Sequence, residues 1–289
     1  MAYQVNTVGT AVSTWGEGPV WDGDRLLYVD IESHCIRSFD PVNGVEHTWE
    51  VGERIGFVIP CADRDQWIAG GDSGLFYVDP GTGKKTPIAN PEGNVVAENR
   101  FNDAKCDASG RLWAGTISTV KKEGDAALYS LETDHTLALK FPGVTNSNGL
   151  AWSGDGSTMY YIDTPTKKIR AFDFDLATGA ISKERVAFST EDFEGSPDGM
   201  TIDSKNRLWV AFCHGGTVRC FDPESGDLLD WIEFPTVEVT SCTFGGPDLK
   251  TLFVTSGNNA KLDEAAGGRV FSVETEVIGT PLAKFGCPH

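Results

Sequence analysis

SPDGMTID, Ser196 to Asp203, decides how the rest of the chain is read. In isolation it is a turn. Pro197 fixes one backbone angle, the Asp198 side chain can bond its own backbone, and Gly199 accepts a positive φ. Its weight comes from Trp209, eleven residues after Asp198. The same offset recurs in other parts of the chain and lands there on oxygen-bearing side chains.

Trp209 belongs to a run, NRLWVA at Asn206 to Ala211, that resembles GRLWAG at Gly110 to Gly115. DRLLYVD, DQWIAG, STMYYID and KTLFVTS share its shape. The aromatic anchors are Tyr28, Trp67, Trp113, Tyr160, Trp209 and Phe253, at intervals of 39, 46, 47, 49 and 44 residues. After each anchor comes a second strand-like run ending in a turn, such as GLFYVDPGTG or TVRCFDPESG. Long helical patterns are missing, and short β-rich runs alternate with Gly, Asp, Asn and Pro clusters. Six units of about 45 residues with four strands each predict an all-β, six-bladed β-propeller. The alternative is a β-sandwich with chance similarities. The expected blades are 14–52, 53–95, 96–143, 144–190, 191–237 and 238–285, in a single domain spanning 1–289. The segment YQVNTVGTAV is expected to supply the outer strand of the last blade and close the ring. Longer insertions at Thr119 to Ala126 and Gly257 to Ala266 are placed to border an active-site mouth.

Counting back from the anchors gives Glu17, Asn102 and Asp198 at eleven residues and Asn148 at twelve. Gly56 and Cys242 fall at the same place in the second and sixth units. Innermost strands of a propeller line a central channel, so equivalent positions form a ring. Two carboxylates and two carboxamides converging there suit a hard divalent cation. The competing reading is four independent turn residues. Arg100, two residues before Asn102, shares its face of the strand. It either binds substrate or pairs with Glu98 or Asp103.

Composition narrows the functions. Of the 289 residues 40% are hydrophobic, which indicates a globular fold. The net charge of −18 argues against nucleic acid and anionic membrane as partners. No apolar run is long enough for a membrane span, and MAYQVNTVGT is unlike a signal peptide, so a cytoplasmic location is expected. Seven cysteines, odd in number and without a C-x-x-C pair, signal neither a disulfide framework nor a cysteine zinc site. The five histidines, His34, His47, His135, His214 and His289, are scattered. No G-x-S-x-G or phosphate-binding glycine pattern is present. A metal-activated water is the natural reagent, with Asp198 orienting or deprotonating it.

The strings GEGPVW, RFNDAKCDASGRLWAGT, SNGLAWSGDG, SPDGMTIDSKNRLWVA and TSCTFGGPDLKTLFVTS resemble the family of gluconolactonases, regucalcin (senescence marker protein) and luciferin-regenerating enzymes. The resemblance covers nearly all six blades. It implies one divalent cation near the axis, calcium first, with zinc, magnesium, manganese or iron as alternatives. It implies direct ligation by Glu17, Asn148 and Asp198. Asn102 and Arg100 match positions that face the ion's waters and a sugar lactone, and Asp198 matches the general base. Two departures stand out. Thr119 occupies about the place of a sugar-binding Glu, and His214 replaces an Asn before GG. The expected function is metal-dependent hydrolysis of a sugar lactone by a monomer or small homo-oligomer. The alternatives are a calcium-binding regulatory protein and a phosphotriesterase-like hydrolase.

Overall fold

The computed structural model describes residues 3–93 and 98–286. Cys287 and His289 lie outside them, as does the expected 95/96 boundary between the second and third blades. Six four-stranded antiparallel sheets follow one another along the chain. Their innermost strands are Gly16–Trp21, Ile55–Pro60, Asn99–Cys106, Ser147–Trp152, Ser196–Ile202 and Val239–Gly245. Five sheets use four consecutive strands. The sixth takes three strands from the C-terminal side and its outer strand, Val5–Val8, from the N-terminus. Val5 pairs with Val273 and Val8 with Val270. The ring is thus closed by hydrogen bonds rather than by a covalent link, and Val270–Glu274 is not left as the exposed edge of the last blade.

Apolar clusters fill the spaces between adjacent blades. Trp113 packs with Leu150 and Met159 of the fourth blade, and Trp209 with Cys242 and Leu252 of the sixth. Phe253 stacks on Trp21 of the first, ring centroids 5.4 Å apart. Tyr160 likewise faces the fifth blade. Tyr28 and Trp67 do not follow this rule. Tyr28 faces back to the sixth blade, and Trp67 back to the first. The residues that face forward are Leu27 and Ile68. A one-residue slip along a strand moves a side chain to the other face, so the aromatics of the first two units are displaced from the repeat by one position.

The likeness of GRLWAG and NRLWVA has a local cause. Asp107 and Asp203, six residues before each Trp, accept the indole N–H at 2.9 and 3.0 Å. The same carboxylates bind Arg111 at 2.7 Å and Arg207 at 2.8 Å. Each hairpin therefore carries a buried, satisfied carboxylate that fixes the Trp and its turn.

The C-terminal segment crosses the far ends of three inner strands. It makes bridges Asp203 to Gly279, Cys106 to Ala283 and Cys61 to Phe285. Cys35, Cys61, Cys106, Cys213, Cys220 and Cys242 are free thiols, all buried. Among the described residues no helix is long and apolar enough to cross a membrane.

Candidate active site

Strand pairing defines the axial ring without counting from sequence. The forward-facing residues Leu27, Ile68, Trp113, Tyr160, Trp209 and Phe253 pair with Val20, Ile59, Lys105, Ala151, Thr201 and Thr243. Three residues before each partner stand Glu17, Gly56, Asn102, Asn148, Asp198 and Thr240. Thr240, not Cys242, is therefore the sixth member. Ten residues separate Thr243 from Phe253, against eight between Thr201 and Trp209. The sixth hairpin is two residues longer, so counting back a fixed eleven residues from Phe253 stops two short of Thr240. Cys242 instead donates its thiol to the Trp209 carbonyl at 3.3 Å in the core.

All six inner strands carry a β-bulge at this level, for example between Pro197 and Met200 and between Phe101 and Ala104. A bulge bends the strand and re-aims its side chains. Here it turns the ring residues into the channel. The strands also approach closely. A Cβ on Gly56 would lie 2.1 Å from the Asn102 carbonyl oxygen, and one on Gly199 2.0 Å from Ser241 Oγ.

Glu17, Arg100, Asn102, Asn148, Asp198 and His214 line one cavity of about 950 Å³. Glu17 Oε2 accepts the Gly18 N–H at 2.8 Å. Asn148 Nδ2 donates to Thr164 Oγ1 at 2.7 Å, and that hydroxyl donates to the Pro197 carbonyl at 2.9 Å. The Asn148 amide is thereby oriented, and its oxygen accepts Asn102 Nδ2 at 3.0 Å. Arg100 Nη1 donates to Asn102 Oδ1 at 2.8 Å and to the Phe101 carbonyl at 2.9 Å. Among the described residues Arg100 makes no ion pair with Glu98 or Asp103, and its buried Nε has no partner.

Thr119 is placed differently from the others. Its hydroxyl and its backbone N–H both donate to the Glu98 carbonyl. Ile117, Ser118, Lys121 and Glu123 line the cavity beside it. His214 lines the mouth, with Nδ1 2.6 Å from Glu238 Oε2.

Asp103 is a buried carboxylate that sequence reading treated only as an ion-pair partner. Burial raises its pKa, and Lys105 opposes the shift. The Lys105 ammonium itself donates to the Met200 carbonyl. Burial pushes the Glu17 carboxyl up to about 8, Asp103 adds to the shift, and the Gly18 N–H and Arg100 oppose it. Burial also holds Asp198 well above the carboxylate range, with Glu17 and then Asp103 adding to it. Burial lowers Arg100 to about 10, helped by Arg54. Asp103 thus raises both Glu17 and Asp198, and Glu17 raises Asp198, so the three buried carboxylates are costly to ionise together. A divalent cation removes that cost, and two carboxylates with an oriented amide oxygen are the donors a hard cation takes. The residues present fit such an ion. Adjacency to Asn102 gave no sign of Asp103's place, because the bulge that brings it in is not visible in the string FNDA.

Residues 15–258 match the SMP-30/Gluconolactonase/LRE-like region. Regucalcin of Danio rerio is 40% identical over 245 residues, covering 83% of this chain and 82% of its own. A solved luciferin-regenerating enzyme superposes with a TM-score of 0.92 at 30% identity, over 99% of this chain and 100% of that one. A gluconolactonase from Xanthomonas campestris shares the fold, with a TM-score of 0.75 at 22% identity over 94% of this chain and 89% of that one. With the family's region spanning every inner strand of the ring, this chain belongs to the SMP-30/gluconolactonase/LRE-like family.

Proposed function

We propose that the protein is a divalent-cation-dependent hydrolase that opens a sugar lactone to its aldonic acid. The observation that carries this reading is the pairing, in one cavity, of a cation-fitting donor set with Arg100, a buried guanidinium whose Nε has no protein partner. Glu17, Asn148 and Asp198 would hold the cation, and calcium suits their oxygen donors. When bound, such an ion polarises a carbonyl and lowers the pKa of a water. Asp198 then takes a proton from the attacking water, whose oxygen bonds to the carbonyl carbon. The ring C–O bond breaks, and Asp198 returns the proton to the departing ring oxygen. Arg100 holds the sugar and the developing oxyanion, and Asn102 fixes Arg100 for that task through its Oδ1. His214 contacts the sugar at the mouth. Thr119 acts on that side through the loop it anchors, leaving Ile117 and Lys121 as the wall.

The family name and the gluconolactonase fold relative support the lactonase reading. The relative named regucalcin keeps a second reading open, a calcium-binding protein without catalysis. That role needs the same ligands but no anion-seeking Arg100. A pH-indicator assay over a panel of lactones and a phosphotriester, across several cations and with chelator, separates the readings. Cation-dependent acid release from a lactone supports the proposal. Tight calcium binding without turnover of any substrate overturns it.

A further inference from the structure

Glu238 lies outside the ring, one residue before the last inner strand, and is fully buried. Both its oxygens are occupied. Asn259 Nδ2 donates to Oε1 at 2.8 Å, and the Cys213 thiol donates to Oε2 at 3.3 Å. His214 Nδ1 lies 2.6 Å from the same Oε2. The backbone joins in, through an antiparallel bridge between Cys213 and Glu238. His214 itself is 64% exposed and lines the cavity that holds Asp198. Its φ is 63°, a conformation that L side chains seldom take.

A buried carboxylate costs free energy unless its partners are fixed, and apolar packing would serve stability as well or better. A left-handed backbone on a non-glycine residue adds a further cost. Both features are spent on one result. The imidazole has its Nδ1 face committed inward, and only Nε2 is left for the cavity. A carboxylate that fixes ring orientation in this way is the third member of acid–base triads, where its role is to orient rather than react.

We propose that Glu238 is a positioning residue that locks the His214 ring with Nδ1 inward and Nε2 toward the cavity. His214 there hydrogen-bonds a ring hydroxyl of the sugar and so selects polyhydroxylated lactones over their deoxy counterparts. The selection rests on the lactonase reading; the locking does not. A site built to hydrogen-bond a hydroxyl discriminates against the analogue that lacks it.

Nitrogen-15 NMR of the full-length protein, with the His214 signal assigned by its loss in His214→Asn, tests the locking. In the neutral ring the proton should reside on Nδ1. Glu238→Ala should move it toward Nε2. Glu238→Gln, whose amide oxygen can still accept, should restore it. An Nε2–H ring in the wild type, or an unchanged ring in a folded Glu238→Ala protein, overturns the locking. Should Glu238→Ala not fold, the wild-type and Glu238→Gln spectra decide. Kinetics test the selection. His214→Ala should lower kcat/KM about tenfold for a fully hydroxylated lactone, mainly through KM, and leave a deoxy lactone within about twofold. Equal losses on both substrates overturn the selection. A wild type inactive on every lactone removes the lactonase reading and the selection together, and the NMR result then decides the locking alone.

Discussion

Asn102 donates its side-chain N–H to the amide oxygen of Asn148 at 3.0 Å, across the junction of the third and fourth blades. The same Nδ2 reaches the Ser147 carbonyl at 2.7 Å, while Oδ1 is taken by Arg100 at 2.8 Å. Both ends of the amide are committed. Asn102 therefore holds Asn148 and Arg100 in place rather than offering its own oxygen to an ion. Partners that orient a ligand typically account for about 10–100-fold in metal affinity. Asn102→Ala should weaken calcium binding by about that range while the fold persists. Isothermal titration with circular dichroism checks it, and unchanged affinity would remove the orienting role.

Asp198 is proposed as both ligand and base. A general base contributes about 10²–10⁴ in rate. Asp198→Asn should lower kcat at least about a hundredfold even at cation concentrations that saturate the variant. Near-normal kcat on the best lactone found would leave Asp198 a ligand only.

The Glu17 carboxyl, raised from 4.5 to about 8, sets the direction of a pH effect. Its folded pKa lies above its unfolded one, so the contribution to stability is full below about 4.5 and is lost as pH rises through about 8. In chelator, the wild type should lose melting temperature relative to Glu17→Gln over that window. Calcium should restore the wild type more than the variant, because Glu17→Gln removes one of the ligand charges. Parallel melting curves with and without calcium for both proteins would contradict the proposed ligand.

Gly56 has a steric rather than a chemical role in the ring. A Cβ there would stand 2.1 Å from the Asn102 carbonyl oxygen, a backbone atom that cannot rotate away. Gly56→Ala should destabilise by about 1–3 kcal/mol, as overpacking does, and displace Asn102 enough to lower activity with it. A melting temperature equal to wild type would show that the inner strands can separate freely.

The outer strand Val5–Val8 pairs along Val270–Glu274. Removing residues 1–9 should expose that edge and make the protein associate or aggregate. Size-exclusion chromatography of the truncated chain reads this directly. A stable protein with unchanged elution would mean that the last blade closes without its fourth strand.

The sequence by itself determined the architecture. Six similar hairpins at a period near 45 residues can bury their apolar faces only against one another, and the N-terminal run was the one strand left over for the last blade. That Glu17, Asn148 and Asp198 line one cavity was legible for the same reason, since equivalent places in a repeat converge on its axis. Counting failed where hairpins differ in length. Cys242 stood in for Thr240, and Tyr28 and Trp67 stood one residue from the true frame, because register is set by pairing across strands and not by distance along them. Tertiary structure alone decided the rest. Bulges turned Asp103 toward Glu17 and Asp198, and strand packing brought Glu238 to His214 across 23 residues of intervening sequence. Such meetings depend on the bend of a strand and the approach of two blades, and neither leaves a spacing in the chain from which it could be read.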